Sequence, residues 1–118
     1  MKIYKGIIKE ETLFNNDEAL FIGKHDDPIA EIFEEDFQGK QVTVRYWISE
    51  KRKTKNELQE STLKKILGVV DANYGEHYSE YTGYLWTEED LNIGGHDLLS
   101  ELRFFVGKYV YLEVEIHE

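Results

Sequence analysis

Gln41-Val42-Thr43-Val44-Arg45-Tyr46-Trp47-Ile48-Ser49 decides the reading of the fold, because Val42, Val44, Tyr46 and Ile48 fall on one side and Gln41, Thr43, Arg45 and Ser49 on the other. Alternation with period two is the mark of a half-buried β-strand. The stretch from Tyr109 to Ile116 repeats it, with Val110, Leu112, Val114 and Ile116 inward and Tyr109, Tyr111, Glu113 and Glu115 outward. Both patterns predict antiparallel strands with one wet face. Each strand also follows the same local motif, Phe37-x-Gly39-Lys40-x-Val42-x-Val44 and Phe105-x-Gly107-Lys108-x-Val110-x-Leu112. A duplicated half-barrel would write this motif twice. A glycine that takes a left-handed turn before the chain extends would write it too, and the sequence favours that simpler reading.

Working outward, weaker strands are expected from Ile3 to Glu10, Ala19 to Lys24, Ile29 to Phe33 and Tyr81 to Trp86. The turn chemistry of Asn15-Asn16-Asp17 and Asp26-Asp27-Pro28 falls between the first three. Thr54-Lys55-Asn56-Glu57 has capping-box spacing and precedes Leu58, Leu63, Ile66 and Leu67, which predicts a helix ending at Gly68. Asp97 is placed to cap a second helix that buries Leu98, Leu99, Leu102, Phe105 and Val106 and stops at Gly107. Thr87-Glu88-Glu89-Asp90 reads as a short helical turn whose acids suit the positive end of a helix dipole. Strands dominating with two helices indicate an α+β chain. The expectation is a single globular domain over residues 1–118, built as a mainly antiparallel curved sheet or small partly open barrel.

With 118 residues, 41% hydrophobic and 14% aromatic, the chain can bury a core without covalent or metal staples. It has no cysteine, which excludes disulfides, thiolate metal sites and cysteine nucleophiles. Lysines interrupt the apolar residues of the first nine positions, so no signal peptide, no membrane span and a cytoplasmic location are expected. The net charge of −10 is unevenly spread: residues 1–39 carry −6, residues 40–68 carry +5 and residues 69–118 carry −9. Nucleic-acid binders need an extended cationic footprint, and Lys51-Arg52-Lys53-Thr54-Lys55 is too short to supply one. Direct nucleic-acid binding is therefore disfavoured.

Between Lys65 and Arg103 lie thirty-seven residues with no lysine or arginine, eight carboxylates, and Tyr74, Tyr78, Tyr81, Tyr84 and Trp86. Aromatic rings give rigid contact area and unopposed carboxylates give a negative field, a combination suited to a basic protein partner. The candidate binding residues are Tyr78, Tyr81, Tyr84 and Trp86 as anchors and Glu80, Glu88, Glu89 and Asp90 as steering charges. This makes the chain an acidic protein-binding module that occludes or scaffolds its partner, in the manner of an inhibitor or immunity protein. An alternative is a DNA mimic, which requires carboxylates in two ordered rows.

A third reading, a small-ligand protein or enzyme, requires a cavity beside His25, His77 or His96. No catalytic motif supports an enzyme, and no cofactor is implied. The pairs His25-Asp26 and His96-Asp97 lack the spacing of a metal site, so no metal ligands are assigned. An unpaired edge at the first or last strand would leave room for a homodimer.

Overall fold

The computed structural model describes every residue except Phe14, 53–56, 58–62 and Glu118. Among the described residues, seven strands and two helices follow one another as β1 (Lys2–Thr12), β2 (Glu18–Ile22), α1 (Ile29–Phe37), β3 (Gln41–Ser49), β4 (Lys64–Tyr78), β5 (Leu85–Ile93), β6 (His96–Asp97), α2 (Leu98–Arg103) and β7 (Tyr109–His117). The strands form one antiparallel sheet in the order β2-β1-β7-β3-β4-β5-β6, with both helices packed into its main core. The expected α+β architecture is the one observed. Its curvature brings the two ends of the strand order within side-chain reach. Thr87 N–H donates to Asp17 Oδ2 at 2.6 Å, Asn15 Nδ2 to Thr87 Oγ1 at 2.7 Å, and Leu20 N–H to Glu89 Oε2 at 3.4 Å.

With the two-residue β6 set aside, the strand order reads the same from both ends if β1 is exchanged with β4, β2 with β5, and β3 with β7. The shared motif of the sequence therefore marks an internal repeat as well as strand-entry chemistry, which corrects the simpler reading. Each glycine ends a helical segment at positive φ, +76° at Gly39 and +94° at Gly107. Lys40 N–H then bonds Phe37 C=O and Lys108 N–H bonds Phe105 C=O, both at 2.9 Å. Gly39 and Lys40 exchange backbone bonds with Val70 (3.0 and 3.0 Å), as Gly107 and Lys108 do with Ile8 (2.8 and 2.9 Å).

The repeat extends to two close backbone crossings. A Cβ on Gly6 would stand 2.4 Å from Gly23 Cα, and one on Gly68 would stand 2.3 Å from Gly94 Cα, so only glycine lets each hairpin fold over itself. One apolar cluster joins the halves. It includes Ile8, Leu20, Phe33, Phe37, Val42, Val44, Tyr46, Val70, Leu91, Ile93, Leu102, Leu112 and Val114, each contributing about 1.5–3 kcal/mol if it is an aliphatic or phenyl side chain fully removed from water.

Several local expectations are overturned. Ile29 to Phe33 is the first half of helix α1. Ile29, Phe33 and Phe37 recur every four residues and are buried together, a helical period that a five-residue window hides. Lys64 to Leu67 is strand, with Ile66 facing the core opposite Val44, so the proposed first helix does not reach Gly68; its start, 54–62, falls outside the described residues apart from Glu57. Thr87 to Asp90 is the middle of β5 rather than a helical turn, because nine consecutive residues pair with β4. Tyr81 to Tyr84 is a turn, and strand begins only at Leu85.

The outer face of β7 is not wet. Tyr109, Tyr111 and Glu113 are buried, with Trp47 edge-on to Tyr111 at 5.9 Å and Leu63 packed on the group. The last strand is not an edge, because β7 lies between β1 and β3. β1 pairs with β7 over Lys2–Ile7 and with β2 over Ile8–Thr12, so each part of it has a described strand partner on one side only, and β2 and β6 end the strand order. Among the described residues no helix is long and apolar enough to cross a membrane.

Candidate functional site

The two hairpins of the repeat differ in length, and the difference defines the candidate site. Ile8 opposite Ile22 corresponds to Val70 opposite Ile93. From that rung the first hairpin runs four pairs outward to Thr12–Glu18, whereas the second runs eight, to Tyr78–Leu85. The surplus rungs are Gly75–Glu88, Glu76–Thr87, His77–Trp86 and Tyr78–Leu85, an arm of roughly 13 Å at strand rise plus its turn. The first half folds without such an arm.

The arm is held at its root. Past Val69, β4 leaves β3, and two of its amides are taken up by α1 and the residue that follows it: Ala72 N–H donates to Gln38 Oε1 at 2.7 Å and Tyr74 N–H to Glu34 Oε2 at 2.5 Å. On the β5 side, Asp17 and Asn15 grip Thr87 as described above. Side-chain acceptors thus blunt an edge that would otherwise be open. At the apex, Gly83 N–H bonds Ser79 C=O at 2.9 Å and Ser79 N–H bonds Tyr84 C=O at 3.0 Å, with Gly83 at φ +69°. This tight turn presents Tyr81 with its whole side chain in solvent (100% exposed) and Glu80 beside it.

Strand alternation sorts the remaining residues. Trp86, Glu88 and Asp90 share one face of β5, Tyr84 just before the strand stacks on Trp86, and His77 joins them from β4 opposite Trp86. Tyr84 stacks on Trp86 (5.9 Å, 15°), Trp86 stacks on His77 (5.3 Å, 23°), and His77 Nε2 lies 3.0 Å from Glu88 Oε2. Asp90 continues the line. Partial desolvation, then the charge of Glu88 and a hydrogen bond with it, raise the Asp90 carboxyl above its ordinary value, so this patch favours an incoming cation. The opposite face carries Tyr78 and Leu85, both exposed.

The structure therefore gathers Tyr78, Glu80, Tyr81, Tyr84, Trp86, Glu88 and Asp90 on or beside one arm. Glu89 is not among them. It points to the other face, its side chain only 9% exposed, and pairs with Arg103, which also bonds Glu10 at 2.6 Å. Burial raises the Glu89 carboxyl while Arg103 and the Leu20 amide oppose the rise, so its role is to tie β5 to α2. Tyr74 is likewise half-buried against the core. The sequence reading named His77 only as one of three histidines that a ligand cavity would have to adjoin and not among the binding residues, since its place in the ring stack depends on cross-strand register that the sequence does not display.

No group of three or more histidine, aspartate or glutamate side chains able to hold a metal ion occurs among the described residues. Comparison of the chain with protein-family models, with curated proteins and with solved structures finds no match in any of the three.

Proposed function

We infer that the protein is a binding module that grips a basic protein partner with the β4–β5 arm and acts by occluding or scaffolding it. The observation that carries this reading is Tyr81, fully exposed at the apex of an arm that the other half of the repeat lacks. A solvent-facing ring contributes nothing to the core, whereas at an interface a buried tyrosine or tryptophan is the commonest anchor. Tyr84 and Trp86 are pre-stacked, which lowers the ordering cost on binding. Glu76, Glu80, Glu88 and Asp90 surround the rings without a lysine or arginine on the arm, so encounter with a cationic surface is steered.

The test is an arm-shortened variant in which residues 76–87 are replaced by Asn-Gly, joining the Gly75–Glu88 rung through a two-residue turn. Partners captured from the source cell by wild type and by this variant are compared by mass spectrometry at low and high salt. A basic protein retained by wild type at low salt, weakened by salt and lost by the shortened arm, supports the reading. A partner bound equally by both proteins, or none, removes it.

A further inference from the structure

The arm is not the only departure from the repeat. On the face of β1 turned away from the main core, a groove of about 640 Å³ opens between that strand, the Gly23–His25 turn, Arg52 and Tyr109. Its size lies within the range of small-molecule sites. Ile3 and Ile7 are partly exposed and give it an apolar floor together with the Tyr109 ring. Lys5, Lys9, Lys24 and Arg52 line it, and among the described residues no carboxylate does, in a chain whose net charge is −10. None of these four cations makes a salt bridge among the described residues.

Tyr109 supplies the second, independent observation. It is 3% exposed, it lines the groove, and its hydroxyl is buried with no hydrogen-bond partner among the described residues. Native structures rarely leave a buried hydroxyl unpaired, so a missing ligand atom is a physical explanation for it.

The repeat provides an internal control. Matching Ile8 to Val70, Gly23 to Gly94 and Gly39 to Gly107 places Leu67 at the position of Lys5, Asp71 at Lys9, Gly95 at Lys24 and Gln41 at Tyr109. The fold therefore does not demand a cationic groove at this place. The charge and the phenol occur together at only one of the two equivalent places.

The geometry points to a binding site for a small amphipathic anion, an apolar body carrying a phosphate or carboxylate. The body lies along Ile3, Ile7 and the Tyr109 ring. The head group meets the lysines and Arg52 through charge-assisted hydrogen bonds, and one of its oxygens accepts from the Tyr109 hydroxyl. This site is separate from the arm and stands or falls without it.

Four probes below their micelle concentrations test the site on the full ¹⁵N-labelled chain by amide chemical shifts: decyl phosphate, decanoate, decyltrimethylammonium and inorganic phosphate. Decyl phosphate, decanoate or both are expected to shift the amides of residues 3–9 and 23–25 saturably, the tighter of them identifying the head group. The ammonium probe should leave these amides unmoved, and inorganic phosphate should bind at least about tenfold more weakly. Lys5→Glu with Lys24→Glu should weaken the anion about tenfold or more, and Tyr109→Phe about threefold or more, with the Tyr109→Phe chain as stable as wild type because it loses only an unpaired hydroxyl. No saturable shift from either anionic probe, equal binding of the ammonium probe, or unchanged affinity in the double-glutamate variant overturns the assignment.

Discussion

Gly68→Ala is the sharpest test of the folded-over hairpins. A Cβ at Gly68 would lie 2.3 Å from Gly94 Cα and 2.4 Å from Gly94 N, where ordinary contact begins at 3.4 Å. Both obstacles are backbone, so no side chain can swing aside; β4 and the turn after β5 must separate by about 1 Å, which overpacking precedents put at about 1–3 kcal/mol. The φ of +156° adds about 1–3 kcal/mol for a residue with a side chain. Together these cost roughly 2–6 kcal/mol against a total stability of about 5–15 kcal/mol for a domain of this size. Urea unfolding followed by far-ultraviolet circular dichroism should show the midpoint falling by about 2 M. Gly107→Ala is the control: its φ is +94°, but nothing lies within 4 Å of the added atom, so only backbone strain of about 1–2 kcal/mol applies. Gly6→Ala, the repeat partner of Gly68→Ala, should match it to within about 1 kcal/mol. Equal losses for Gly68→Ala and Gly107→Ala would refute the reasoning, because the close crossing would then carry no weight.

Tyr81→Ala combined with Trp86→Ala should leave the urea midpoint nearly unchanged and weaken the partner by about 2 kcal/mol or more, roughly thirtyfold, measured by calorimetry once the partner is in hand. Arg103→Met leaves Glu89 and Glu10 facing each other without their cation; a buried pair broken this way costs about 3–5 kcal/mol, and because Arg103 is more than a third exposed the expected loss in denaturant melts is about 1–2 kcal/mol. Glu31, Glu89 and Asp90 all have carboxyls raised mainly by desolvation, so their contribution to stability is complete below the unfolded carboxylate value and is lost as pH rises through the raised folded values. These three groups should therefore favour the folded state below the unfolded carboxylate value relative to neutral pH in thermal melts, and Glu89→Gln should flatten that difference. Glu115, lowered by its Arg45 bond, works in the opposite sense and loses its contribution as pH falls through its folded value.

Legibility in the sequence followed the range over which each signal acts. Strands β3 and β7 were readable because four inward residues at period two, such as Val42, Val44, Tyr46 and Ile48, leave no competing pattern. The Asp97 cap was readable because it is local, its side chain accepting from Ser100 N–H at 3.1 Å. Thr87 to Asp90 misled because acids at a candidate helix start and acids on a strand face look alike until the β4 partner is known. The candidate site divided in the same way. Tyr81 could be singled out by composition, but separating Glu88 and Asp90 from Glu89 required knowing which face of β5 each occupies. The groove was invisible, since Lys5, Lys24, Arg52 and Tyr109 come from four places in the chain.

What the repeat adds is a way to separate folding from function inside one molecule. Where both halves carry the same chemistry, as at Gly39 and Gly107 or at the Gly6–Gly23 and Gly68–Gly94 crossings, the frame explains it. Where one half carries chemistry the other lacks, the frame explains nothing, and two such places stand out: four extra rungs bearing exposed rings and acids, and a groove of unpaired cations over a buried phenol. Their charges are of opposite sign, so they select different ligands by electrostatics alone. A charge-reversal pair follows from this. Glu80→Lys with Glu88→Lys should weaken a cationic protein at the arm and leave decyl phosphate binding intact, whereas Lys5→Glu with Lys24→Glu should do the reverse. Coupled losses, in which either pair disables both ligands, would mean that arm and groove form a single site and that the halves are not functionally distinct.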